Sequence, residues 1–136
     1  MVGIVLVSHS RKLAEGLLEM VAQVAGPDVQ VAIAAGTPDG RLGTSAPSIV
    51  DAIRSVDGPH GVLVLLDLGS AALSIELALE ELEEDERARV VVSDGPLVEG
   101  AVVAAVQASL GAGLAEVAAE AAAAARLTKM PGGTPA

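Results

Sequence analysis

Four short runs of aliphatic and β-branched residues recur along the chain, and segments of helical period separate them. The runs are GIVLV (3–7), VQVAIA (29–34), GVLVLLD (61–67) and RVVVS (89–93). The first, third and fourth are almost continuously apolar, the pattern of strands covered on both faces. Between and after them, apolar residues recur three or four apart. One stripe is Leu13, Leu17, Met20, Val21 and Val24, and the next is Ile49, Ile53 and Val56. Ala72, Ile75, Leu79 and Leu82 form a third, and Val98, Val102, Val106 and Leu110 a fourth. The Ala-rich stretch from Leu114 to Arg126 reads as a last helix, since Ala has the highest intrinsic helix propensity. Strict β–α alternation predicts an α/β fold, a three-layer arrangement with a parallel four-stranded sheet and helices on both faces. Right-handed crossovers restrict the topology, and we expect strand order 2-1-3-4, with the winding reversing between strands 1 and 3. One domain over 1–126 is expected, followed by a disordered tail over 127–136 (LTKMPGGTPA); no internal repeat is visible.

Composition removes several function classes. The chain has no Phe, Tyr or Trp and a formal net charge of −10, so it lacks both the stacking platform and the positive field of a nucleic-acid binder. Sugar binding by ring stacking is disfavoured for the same reason. With no Cys, disulfides, thiol nucleophiles and cysteine zinc sites are impossible. No run reaches the ~18 apolar residues of a membrane span, and the apolar run ending at Val7 has no basic leader. A cytoplasmic protein without membrane partners is expected. Only two imidazoles are available for chemistry, His9 and His60.

In open parallel sheets, ligands bind beyond the carboxyl ends of the strands, at the point where the winding reverses. The turns falling there are SHS (8–10), GTPDGRLGTS (36–45), DLGSA (67–71) and DGPLVEG (94–100). In the expected strand order, His9 and Asp67 flank the same crevice, whereas His60 lies at the opposite end. An imidazole in that position serves as base, metal ligand or nucleophile. A zinc site needs three or four ligands, and no second His or Cys is near. Nucleophilic use remains open, because a carboxylate that takes the proton of one ring nitrogen leaves the other free to attack. Asp67 is placed to be that carboxylate, or else to cap the following helix. The glycine-rich turn at 36–45 lacks the Lys of a Walker A loop. Its GTS (43–45), like GSA (69–71), can cap a helix or offer backbone N–H groups to an anion. The run EELEEDE (80–86) is read as a solvated helix end.

The segments VGIVLVSHSRKLAEG, AIAAGT, GTS, LVLLDLGSA and PLVEGA, in this order from Val2 to about Ala125, carry a resemblance. Together they resemble the phosphotransfer subunit of phosphoenolpyruvate-dependent dihydroxyacetone kinases, a relative of the mannose-type enzyme IIA domains of the sugar phosphotransferase system. The resemblance implies a four-stranded α/β homodimer, in the single-domain form, with a transiently phosphorylated histidine. That histidine maps to His9 and its acidic partner to Asp67. Ser10, Gly36, Thr37, Thr44, Ser45, Gly69 and Ser70 map to loops contacting the phosphoryl group or a partner. It further implies a phosphocarrier protein as donor, with ADP (and Mg) held by a separate nucleotide-binding kinase subunit as acceptor. Dihydroxyacetone would sit on a third subunit, and this chain would carry no cofactor or metal of its own. Two alternatives are a IIA component of a mannose-type sugar transporter and a non-enzymatic α/β regulatory module.

Overall fold

The computed structural model describes residues 1–132. The elements run β1 (Gly3–Ser8), α1 (Arg11–Ala25), β2 (Val31–Ala35), α2 (Ala46–Val56), β3 (Val62–Leu66), a 3-10 turn (Gly69–Ala71), α3 (Ala72–Glu81), α4 (Glu84–Arg87), β4 (Val90–Val92), α5 (Leu97–Ser109), α6 (Leu114–Ala123) and a second 3-10 turn (Ala124–Arg126). The sheet is parallel throughout, in the expected order β2-β1-β3-β4. Register pairs Ile4 with Val31 and with Leu63, and Val62 with Val90. The period-two alternation of a strand then divides β1 between two cores. Ile4 and Leu6 join Leu63 and Leu65 beneath Leu17 and Val21 of α1 and the Ala-rich faces of α5 and α6. Val5 and Val7 join Val62 and Val64 beneath Ile49 and Ile53 of α2 and Ile75 and Ala78 of α3. The three layers expected from the sequence are therefore present, with β1 and β3 central and fully covered.

Four local expectations change. On α1 the buried residues are Ala14, Leu17 and Val21, while Leu13, Met20 and Val24 of the expected stripe are exposed. β4 is a three-residue edge strand whose Val91 and Val92 are exposed, so its apolar run does not mark burial on both faces. On α5 the buried residues are Leu97, Gly100, Ala101, Ala104, Ala105 and Ala108, while Val98 and Leu110 of the expected stripe are exposed. The physical reason is distance. A Cβ on Gly100 would come within 2.9 Å of the Leu65 side chain and 3.4 Å of the Ala121 carbonyl oxygen, so only small residues fit that face. The acidic run is also interrupted. α3 ends at Glu81, and a reciprocal pair of hydrogen bonds between Glu83 and Glu86 starts α4. Of the expected tail, residues 133–136 lie outside the described residues, and Lys129 is paired with Glu99 of α5 at 2.6 Å.

β1 approaches the end of α2 so closely that a Cβ at Gly3 would overlap the Val56 backbone carbonyl and lie 2.9 Å from the Val56 Cβ. Backbone cannot yield as a side-chain tip can, and overpacking of this kind costs about 1–3 kcal/mol. Gly3→Ala is therefore expected to lower the urea midpoint by an equivalent amount. An unchanged midpoint would mean that β1 and α2 separate without strain.

Candidate functional site

The sequence SHS spans the end of β1 and the start of α1, so each of its residues has a different job. Ser8 is the last residue of the strand and is fully buried. Its hydroxyl donates to Asp67 Oδ2 at 3.0 Å and accepts the Ser10 N–H at 3.1 Å. Ser10 is the N-cap of α1, its hydroxyl accepting the Leu13 N–H at 3.2 Å. His9 is held between them with its side chain one-quarter exposed.

Asp67 follows β3 and faces His9 across the reversal of winding. Its Oδ1 accepts from His9 Nδ1 at 2.9 Å and from the Leu68 N–H at 2.7 Å. Its Oδ2 accepts the His9 N–H at 2.9 Å in addition to the Ser8 hydroxyl. Burial works against the charge of this carboxylate, but the donors from His9, Leu68 and Ser8 outweigh it, and the group is held below its ordinary value. An anionic Asp67 fixes the imidazole tautomer, with the proton on Nδ1 and the lone pair on Nε2. Ser70 Oγ lies 2.9 Å from Nε2, so in this tautomer the serine hydroxyl donates to the ring. Asp67 thus contacts His9 and also accepts the N–H of the residue that follows it. The turn after it has Leu68 at its N-cap position and no side-chain cap.

The remaining sequence-selected residues divide into those near the imidazole and those that build the walls. Ser70 reaches His9 directly, and Gly69 opens the 3-10 turn that carries it. Gly36 takes a positive φ of 72° and its N–H donates to the Ser8 carbonyl at 3.1 Å, carrying the chain out of β2 beside β1. Thr37 is bonded within its own loop, to Asp39 and to Arg41, and has no bond to His9. Thr44 is joined to Ser74 of α3 at 2.6 Å, and Ser45 caps α2 by accepting the Ser48 N–H. The loop still touches the site through its backbone, because the Gly43 N–H donates to the His9 carbonyl at 2.9 Å. Ser8 and Gly43 lie in the SHS and GTS turns marked from the sequence, but neither was given a role of its own there; a serine ending an otherwise apolar strand is a usable signal for the first. His60 is exposed before β3, at the other end of the sheet, as expected.

The sequence profile of the family described as PTS system fructose IIA component, EIIA-man, matches residues 3–118. The chain belongs to this family. It is 47% identical over 107 residues to the phosphoryl donor subunit of PEP-dependent dihydroxyacetone kinase 2 from Listeria innocua, covering 79% of this chain and 86% of that protein. It is 44% identical over 120 residues to the phosphoryl donor subunit of the PEP-dependent dihydroxyacetone kinase of Escherichia coli. That match covers 86% of this chain but only 25% of the longer protein. A crystal structure of a protein of unknown function superposes with a TM-score of 0.80 at 41% identity, covering 89% of this chain and 93% of that one. The family resemblance read from the motifs and the parallel 2-1-3-4 sheet thus agree with relatives that are phosphoryl donor subunits of dihydroxyacetone kinases.

Proposed function

We propose that this EIIA-man chain is a phosphohistidine relay for a dihydroxyacetone kinase. His9 takes a phosphoryl group from a phosphocarrier protein and passes it to ADP, held with Mg on the nucleotide-binding kinase subunit. The observation that carries the reading is His9 itself, with Nδ1 committed to an anionic carboxylate and Nε2 directed outward against only a serine hydroxyl. In the loading step the Nε2 lone pair forms the N–P bond while the bond between phosphorus and the carrier's nitrogen breaks. In the unloading step the Nε2–P bond breaks as a terminal ADP oxygen bonds to phosphorus. No proton has to leave the ring in either direction. Positive charge developing on the imidazole during attack is met by Asp67, through the Nδ1–H it already holds.

Ser70 has to turn its hydroxyl from Nε2 as phosphorus approaches, and from its new rotamer it can donate to a phosphoryl oxygen. The first N–H groups of the turn beginning at Gly69 have no acceptor within that turn and face the same task. Such a site is shallow, which suits a histidine that must meet two macromolecules in succession. We assign dihydroxyacetone to another subunit, and the relay to the cytoplasm, where phosphoenolpyruvate-derived phosphoryl groups and ADP are supplied. We further infer that it works as a homodimer, for which light scattering should give twice the mass of 13.4 kDa.

The decisive experiment follows labelled phosphate. Protein loaded by phosphoenolpyruvate, enzyme I and carrier is mixed with an ADP-loaded nucleotide-binding kinase subunit or with a mannose-type IIB domain. Label should appear as ATP in the first mixture and stay on this chain in the second. Rapid transfer to the IIB domain with none to ADP would make the protein a sugar-transport component. Failure to load at all would favour a regulatory module.

A further inference from the structure

Asp67, His9 and Ser70 are joined in one line of hydrogen bonds, Asp67 Oδ1 to Nδ1 at 2.9 Å and Nε2 to Ser70 Oγ at 2.9 Å. Phosphoryl transfer uses the imidazole and asks the serine to move aside. In the unloaded protein the same groups stand as a hydroxyl, a base within hydrogen-bond reach of it, and a carboxylate that orients the base. That order of parts activates a serine toward acyl carbon, and it is recognised by geometry on unrelated folds. Each part is in the state this chemistry needs. Asp67 is held anionic by the N–H and hydroxyl donors around it, which keeps the proton on Nδ1. The Nε2 lone pair is then free to take the Ser70 proton. Ser70 is exposed, so a small ester can reach Oγ, and its own N–H has no acceptor among the described residues.

We infer that the unloaded protein has a second, esterolytic activity on small uncharged acyl esters, with Ser70 as nucleophile and His9 as general base. The inference stands on this hydrogen-bonded geometry and not on the relay reading. Size follows from place. The concavity that begins at Gly69, between Leu68 and the turn from Ser93 to Gly95, holds about 190 Å³, room for a short acyl group. Charge follows from Asp67 and Asp94 on its walls, which repel an anionic acyl donor. In the first step Ser70 Oγ bonds to the carbonyl carbon as its proton passes to Nε2, and the C=O electron pair moves to oxygen. The Ser70 N–H can donate to that oxyanion, and Asp67 meets the positive charge on the ring. Collapse of the adduct breaks the bond to the leaving alkoxide, which takes the proton from Nε2. Water then adds to the acyl carbon and gives its proton to Nε2, and the acyl–Oγ bond breaks as Oγ takes that proton back. A phosphoryl group on Nε2 would remove the lone pair, so loading His9 would switch this activity off.

The test treats the full, unsubstituted chain with phenylmethanesulfonyl fluoride, whose sulfur bonds to an activated serine oxygen as fluoride leaves with the serine proton. The adduct is mapped by peptide mass spectrometry. It should fall on Ser70, and it should be lost in Ser70→Ala and in His9→Gln. Hydrolysis of p-nitrophenyl acetate should slow by about 10²-fold in Ser70→Ala, the range for a hydroxyl assisted by a positioned base. Absence of an adduct on Ser70 in the unsubstituted protein would overturn the inference. Unchanged hydrolysis in Ser70→Ala would overturn it as well, by showing that the imidazole attacks the ester itself. The relay reading is tested separately. Carrier loading of His9 in a protein whose Ser70 stays unmodified would leave the relay intact and remove the esterolytic activity. A labelled Ser70 in a protein that the carrier cannot load would overturn the relay alone.

Discussion

His9→Gln is expected to take up no phosphate from the phosphocarrier, a loss of about 10⁴-fold or more in loading rate. Glutamine keeps a polar side chain of similar reach, but its amide nitrogen has no free lone pair to form an N–P bond. The matched control is His60→Ala, which should load like the unsubstituted protein, because His60 is exposed before β3 at the far end of the sheet. The label should have the acid-labile, base-stable character of a phosphoramidate, and nitrogen-15 NMR should place it on Nε2. Label that persists in His9→Gln and disappears in His60→Ala would overturn the assignment.

The second large effect is expected from Asp67→Asn. The carboxylate accepts at both oxygens from donors that cannot reverse, the Leu68 N–H at one and the His9 N–H at the other. An amide must therefore aim its NH₂ at one of these backbone N–H groups in either orientation. With its nitrogen toward the ring, it also forces Nδ1 to accept and moves the proton to Nε2, removing the attacking lone pair. With its oxygen toward the ring the tautomer survives, but the negative charge opposite the developing imidazolium is gone. We expect loading and unloading to slow by about 10²-fold, the range for a positioned group that handles charge or protons. The pH dependence has a defined sign. Because the Asp67 carboxyl is held below 3.8 in the fold, its stabilisation is complete above that value and is lost as pH falls through the lower folded-state one. The stability gap between the two proteins should be constant at neutral pH and narrow only in strong acid. Equal transfer rates in a well-folded variant would reduce Asp67 to a structural link between strands.

The central sheet was legible because β1 and β3 are apolar at nearly every position, a pattern that helices on both faces require. β4 carried the same signal without the same environment. Three valines report β preference equally well at a covered position and at an edge, and the sequence holds no local mark of which neighbour is missing. α5 was misread for a related reason. Stripes of Val and Leu draw attention, yet the buried face is the one made of Gly and Ala, where neighbouring backbones come too close for anything larger. At the site, the pairing of His9 with Asp67 followed from topology alone, since strands 1 and 3 are neighbours whose ends converge. The turns holding Ser8 and Gly43 were marked, but their particular contacts, hydrogen bonds to Asp67 and to the His9 carbonyl, are set by how the loops fold rather than by residue type.

The Gly and Ala face of α5 also determines which mutations this protein can absorb. Alanine freezes no side-chain rotamers on burial, so ordering that layer costs little beyond the backbone. Truncation has almost nothing to remove there, and cavities of the kind left by Leu→Ala cannot arise at Ala101, Ala104, Ala105 or Ala108. Enlargement is the opposite case, because each added methylene must displace a strand or a helix. Under random substitution, the opposite sheet face, with Ile49, Ile53 and Ile75, should lose stability by deletion and tolerate swaps of similar volume. The α5 layer should accept only residues no larger than its own. The α5 layer and the α2–α3 layer would then drift under different rules, one constrained by a distance that cannot grow and the other by volume to be filled.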